Sequence, residues 1–213
     1  MTDVVVPAHN EAAGLDPVLA AIRGAPSVRQ LIVVVDKSSD ETAGIAGRFA
    51  DLVVPISAGD KGTAMAVGVA HVGTDTVLFI DADLVGLLPA HVEGLATLPP
   101  LDGQLVGIRG SDPIARLGGL LPSISGERRI PTWLAASLPL AGSAWRAETI
   151  INVAVARAGL PHSHLLLAGV FNPPKPLEQT PERVRSWAQV AGEELAHAPE
   201  LIRYISGTRR SLA

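Results

Sequence analysis

The 213-residue chain contains no cysteine. That absence excludes disulfides, thiolate metal sites and thiol catalysis, and it fits a reducing, cytoplasmic setting. Basic charge is also scarce: 17 Lys and Arg face 21 Asp and Glu, for a net charge of −4. A general nucleic-acid binder needs a basic face to neutralise phosphates, so nucleic acid is not an expected partner. Aromatics make up only 3% of residues, which leaves Ala, Val, Leu and Gly to fill the core. No apolar run approaches the roughly 20 residues of a membrane-spanning helix. Met1-Thr2-Asp3 leads directly into Val4-Val5-Val6 without a basic leader, so neither a targeting peptide nor a transmembrane segment is expected. A peripheral membrane contact and a homodimer both stay compatible with this composition.

Apolar residues are plentiful. They form 47% of the chain, and the mean hydropathy is +0.32, enough for one dense core in a single domain of residues 1–213. Short β-branched runs at 4–6, 31–35, 52–56 and 77–80 alternate with helical patterns. Uninterrupted apolar strands suit a parallel sheet buried on both faces. Residues 11–23 carry Leu15, Val18, Leu19 and Ile22 at helical spacing. Ser38 and Glu41 suggest a capping box for a helix running to about residue 50. Residues 62–72 read as a small-residue helix packed closely on the sheet. The repeating βαβ pattern predicts an α/β fold: a Rossmann-like, mostly parallel open sheet with helices on both faces. Beyond residue 100 the pattern is less regular. The spacing predicts a helix over 88–98, a strand and long loop over 105–132, a helix over 146–158, a strand over 165–170 and a helix starting at Thr180-Pro181-Glu182.

Open α/β sheets bind ligands outside the carboxyl ends of their strands. The four expected strand ends here are followed by Pro7-Ala8-His9-Asn10-Glu11, Asp36-Lys37-Ser38-Ser39-Asp40, Gly59-Asp60-Lys61-Gly62 and Asp81-Ala82-Asp83. One polar strand end means little; four at one edge point to a polar ligand. Asp81 and Asp83 stand two positions apart, where an extended backbone turns alternate side chains to the same side. Two carboxylates so close repel unless a proton or cation lies between them. Mg²⁺ or Mn²⁺ takes such oxygen ligands, typically one or two carboxylates with phosphate oxygens. Lys61 is one of only three lysines, and Gly62 opens a helix whose backbone N–H groups can meet an anion. The spacing of a P-loop is absent.

Together these segments resemble the GT-A glycosyltransferases, above all the family-two group and its relatives, which include glucosyl-3-phosphoglycerate synthases and dolichol-phosphate sugar transferases. Residues 4–11 are similar to the group's opening VVIPAYNE, and residues 34–42 to its VVDDGSTDxT. Lys61-Gly62-Thr63-Ala64 is similar to its GKGxAxxxG, and residues 77–83 to its DxD strand. The resemblance implies a nucleoside-diphosphate sugar as donor, with residues 1–100 as the donor half and 101–213 as the acceptor half. It places Pro7, Ala8, His9, Asn10, Glu11 and Asp36 around the nucleoside. It places Lys61 and Gly62 near the base and diphosphate, and Asp81, Ala82 and Asp83 near the ribose and a Mg²⁺ or Mn²⁺ ion. Ser125-Gly126-Glu127-Arg128-Arg129 looks like the acceptor-side loop of these relatives, so Gly126, Arg128 and Arg129 are expected to bind the acceptor. Near Asn172 some members supply a metal-binding histidine, which this chain lacks.

Residues 109–146 hold five arginines against Asp112 and Glu127, with Glu148 just beyond. That excess suggests an anionic acceptor, because the guanidinium fork matches phosphate and carboxylate. A phosphoglycerate-like molecule and a lipid phosphate both fit. Glu148 is the candidate general base and Glu127 the reserve, although a carboxylate in the first turn of a helix also stabilises that helix without any catalysis. Two other functions compete. A nucleotidyltransferase would ordinarily carry a glycine-rich loop after the first strand, which this chain does not. Against a non-catalytic nucleotide-sugar-binding protein stand the retained Asp81, Asp83 and Lys61; for it stands the missing late histidine.

Overall fold

The computed structural model describes residues 1–110 and 125–173, together with the isolated positions 199, 202, 209 and 210. The first half alternates strand and helix as expected: β1 (Thr2–Ala8), α1 (Leu15–Arg23), β2 (Val28–Asp36), α2 (Thr42–Phe49), β3 (Leu52–Ile56), α3 (Lys61–Val69), β4 (Thr76–Phe79) and α4 (Pro89–Thr97). Next come β5 (Gln104–Arg109), β6 (Arg128–Pro131), α5 (Thr132–Ser137), a 3₁₀ turn (Ala144–Arg146), α6 (Ala147–Ala158), β7 (His162–Leu167) and β8 (Arg209–Arg210). The sheet order is β3-β2-β1-β4-β6-β5-β7-β8. Among the described residues every pairing is parallel except the two made by β6, which runs against both β4 and β5.

The continuous apolar runs are explained by a core on each face. Val4, Val6, Leu31, Val33 and Leu78 point to the layer of α1 and α4, while Val5, Ile32, Val34, Val77 and Phe79 point to that of α3 and α6. Alternate side chains of a strand face opposite sides, so a strand covered twice must be apolar throughout. On α1, Leu15, Val18, Leu19 and Ile22 are fully buried; each such burial contributes about 1.5–3 kcal/mol. On α3, a Cβ at Gly68 would overlap the side chain of Val5, so the glycine lets this helix lie close against β1.

Several boundaries differ from expectation. The N-cap of α2 is Glu41, which makes no side-chain cap; Asp40 before it accepts from the Thr42 N–H at 3.0 Å and from its hydroxyl, and Ser38 accepts from the Asn10 N–H. Strand β7 ends at Leu167 rather than running from 165 to 170. The stretch expected as loop up to residue 132 ends in β6, whose two arginines and proline disguise a fully buried strand. Helix α6 terminates as predicted at Gly159, which adopts φ 64°. The helix expected from Thr180 lies outside the described residues. No helix among the described residues is long and apolar enough to cross a membrane.

Candidate functional site

The ends of β1 to β4 meet at one edge, and each loop there is tied to the next. Asn10 has φ 52°, a left-handed conformation that asparagine tolerates better than most residues. Its N–H donates to the Ser38 hydroxyl (3.0 Å), and its Oδ1 accepts from the Ser39 N–H (2.8 Å). The Glu11 N–H donates to Thr42 Oγ1 at 2.9 Å. His9 Nδ1 lies 2.7 Å from the Asp36 carbonyl oxygen. The segment Pro7, Ala8, His9, Asn10 and Glu11 is thus fastened along the loop after β2.

Asp36 is 3% exposed. Its two carboxylate oxygens accept from the Gly59 N–H (2.9 Å) and the Asp60 N–H (2.7 Å). It therefore holds the loop that presents Lys61 and Gly62. Asp60 caps α3 by accepting from the Thr63 N–H and hydroxyl, both at 2.6 Å, and it also takes the N–H groups of Gly142 (3.1 Å) and Ala144 (2.7 Å). Gly62 fits under the same 140–144 loop: a Cβ there would overlap the Leu140 carbonyl and the Ser143 hydroxyl.

Lys61 is the electrostatic centre. Its Nζ lies 2.8 Å from Asp81 Oδ1 and 2.7 Å from Glu148 Oε1. Burial opposes the ammonium charge, but the two carboxylates outweigh it and hold the lysine above its usual pKa. A charged Lys61 is therefore present across the neutral range. Glu127 lies beyond Asp81 and is fully buried. Its Oε2 accepts from the Ser125 hydroxyl and lies 3.5 Å from Arg109 Nη1, while its Oε1 has no partner. Burial first, and the charge of Asp81 second, push its carboxyl up to about 7 against the pull of Arg109 and Ser125. Between the two acids, Gly126 packs so closely that a Cβ would overlap the Asp81 carboxylate.

Two expectations need correction. Strand β4 stops at Phe79 and residues 82–83 form a turn, so Asp81 and Asp83 do not share one side of a strand. They have separate partners: Asp81 pairs with Lys61, and Asp83 accepts from Asn172 Nδ2 at 2.6 Å. The acceptor-binding role expected of the two arginines also fails. Arg128 is fully buried and donates to the carbonyls of Ser125 and Glu148 and to Asn152 Oδ1. Arg129, on the other face of β6, donates to the carbonyls of Leu95, Leu98 and Pro100 at the end of α4. Backbone carbonyls whose helical partners are missing need such donors, and both arginines are fully enclosed. Finally, Glu148 and Glu127 are 5% and 0% exposed. Their carboxylates are turned to Lys61 and to Ser125 and Arg109 respectively.

Residues 3–97 match glycosyl transferase family 2. The fold is that of the GT-A glycosyltransferases. Glucosyl-3-phosphoglycerate synthase from Mycobacterium tuberculosis, in its complex with Mn²⁺ and UDP-glucose, superposes with TM-score 0.78 at 24% identity, covering 92% of this chain and 78% of that one. The same enzyme with Mn²⁺, UDP and glucosyl-3-phosphoglycerate gives TM-score 0.75 at 23% identity, covering 92% and 79%. Its complex with Mn²⁺, UDP-glucose and phosphoglyceric acid gives 0.76 at 24%, with the same coverage. Sequence comparison with curated proteins finds no match.

Within the GT-A frame, Asp60 is the residue that motif reading overlooks. Its signal is present as an Asp three positions before Thr63 at a helix start. Its carboxylate resists protonation: burial raises the pKa, but Thr63 and the Ala144 and Gly142 amides outweigh it and hold it below the usual value. The contribution is thus complete above the unfolded pKa of about 4 and is lost as pH falls through the lower folded value. Asp60→Ala is expected to cost about 2 kcal/mol, a lost helix cap plus released loop amides. Urea titrations should show the deficit at pH 7 and a narrowing gap from wild type below pH 4. An equal gap at both ends would contradict the assignment.

Proposed function

We propose that the protein transfers a sugar, a hexose in the simplest case, from a nucleoside-diphosphate sugar to a small anionic acceptor. The observation that carries this reading is Lys61 held between Asp81 and Glu148 at the GT-A sheet edge, close to Asp83 in the chain. The residues there suit a divalent cation. Asp83 offers a carboxylate that accepts from Asn172 Nδ2, and the buried Oδ1 of that asparagine has no partner. Among the described residues no three His, Asp or Glu side chains form a ready-made cage, which agrees with a cation that also draws oxygens from the nucleotide. When bound, a divalent cation would supply Lewis-acid stabilisation of the departing diphosphate.

The chain's own groups do the rest. Pro7 to Glu11 and the loop held by Asp36 form the proposed nucleoside wall. Lys61 stands at the proposed diphosphate end, where Glu148 and Asp81 neutralise its ammonium and hold it in place. Glu127 and Gly126 position Asp81 from the other side. With Arg128 and Arg129 engaged inside the fold, Arg109, at 19% side-chain exposure, is the proposed cation for an acceptor phosphate or carboxylate.

A thermal-shift panel of UDP-, GDP- and TDP-sugars with and without Mn²⁺ tests the donor assignment. One nucleotide sugar is expected to raise the melting temperature only when the metal is present, and Asp83→Ala should abolish that rise. No stabilisation by any donor, or the same rise in Asp83→Ala, would remove the proposal.

A further inference from the structure

The segment after β7 returns to the site by a short antiparallel bridge. Val85 and Phe171 exchange backbone hydrogen bonds at 2.8 and 3.1 Å. Gly86 (φ 79°) sits so close to the Gly169 carbonyl that a Cβ would overlap it. Buried Leu84 and Val170 anchor the two sides. This bridge fixes Asn172 against Asp83, with Nδ2 at 2.6 Å from Oδ1. The other end of the same amide, Oδ1, is buried with no hydrogen-bond partner. A buried carbonyl oxygen left unsatisfied costs on the order of 1–3 kcal/mol, so its retention calls for an explanation.

From this geometry we infer that Asn172 is a protein ligand of the cation through Oδ1, giving Asp83 and Asn172 an all-oxygen site. The inference rests on the proposed metal-dependent sugar transfer and adds the ligand and its consequence for metal choice. Without a cation, the amide N–H₂ faces the carboxylate, as electrostatics requires. A half-turn of the amide exchanges its oxygen and nitrogen, which places a second oxygen beside Asp83 and brings the orphaned atom into use. Carbonyl and carboxylate oxygens suit Mg²⁺ and Mn²⁺, whereas an imidazole favours later transition metals. The Asn172 site is therefore biased toward hard cations, and a histidine at this position would reverse the bias.

Calorimetric titration of Mg²⁺, Mn²⁺ and Co²⁺ into protein saturated with UDP, GDP or TDP tests this without reference to activity. Asn172→Ala should weaken Mg²⁺ and Mn²⁺ binding about tenfold or more, with nucleotide affinity in the absence of metal unchanged. Asn172→Asp keeps an oxygen and removes the N–H donor, so it should restore metal affinity at least to wild type. Asn172→His should raise Co²⁺ affinity relative to Mg²⁺ about tenfold. If Asn172→Ala binds metal like wild type, the ligand assignment falls while the donor reading stands. If Asn172→Asp binds metal more weakly than Asn172→Ala, Asn172 acts only by orienting Asp83, and the ligand assignment again falls. If wild type binds no metal with any of the three nucleotides, both readings fall.

Discussion

Lys61→Ala is expected to abolish metal-dependent donor binding and to lower stability by about 3 kcal/mol. The reason is that Lys61 is the counter-charge of two enclosed carboxylates, Asp81 and Glu148, at 2.8 and 2.7 Å. Removing one partner of such a pair leaves charge that neither water nor protein neutralises, a loss of about 3–5 kcal/mol in a closed site. Lys61 and Asp81 keep 18% and 19% side-chain exposure, which puts the expected loss at the lower end. The effect has an internal check. In the Lys61→Ala background, Glu148→Gln removes one of the orphaned charges, so it should recover part of the lost stability. In the wild-type background the same change should weaken it. Urea denaturation of the four proteins gives this double-mutant cycle. Additive losses would mean that the three groups do not act as a unit.

Gly62→Ala should be nearly as damaging, although it adds a single methyl group to a helix. Its Cβ would overlap a backbone carbonyl, that of Leu140, as well as the Ser143 hydroxyl. A hydroxyl can rotate away; a carbonyl anchored in the 140–144 loop cannot. The first turn of α3 must then lift from that loop. Asp60 would lose the amides of Gly142 and Ala144, and Lys61 would be displaced. Overpacking of this kind costs about 1–3 kcal/mol, and donor-induced thermal stabilisation should disappear. Gly47→Ala in α2 is the contrasting case. Nothing lies within 4 Å of a Cβ there, the residue is exposed, and alanine is the better helix former, so this variant should gain about 0.5–1 kcal/mol. If both glycines respond alike, the close fit of Gly62 is not what matters.

The first four strands were readable because two independent signals coincide there. Strands covered on both faces must be apolar along their whole length, and parallel strands put the polar residues at their carboxyl ends on one edge. Val4-Val5-Val6 with His9-Asn10, and Leu31 to Val35 with Asp36, carry both signals. The residues beyond 100 broke both rules. In β6, Arg128 and Arg129 occupy interior positions because backbone carbonyls on either face take up their donors, and no apolar alternation survives. Because β6 is antiparallel, its site residues Gly126 and Glu127 stand at its amino end, where a search of carboxyl ends passes over them. The arginine excess pointed to an anionic ligand, yet two of those arginines serve carbonyls of their own chain. Composition counts charges and is blind to what they face.

Among the described residues no hydrogen bond joins β4 to β5; Arg128–Pro131 is the keystone between the first four strands and the strands beyond. The same segment begins at the glycine pressed against Asp81. A slip of this strand would divide the sheet and withdraw Gly126 from Asp81 in one movement. Ligand competence and structural integrity should therefore be lost together, at a single denaturant midpoint, with no folded intermediate that has mislaid its binding site.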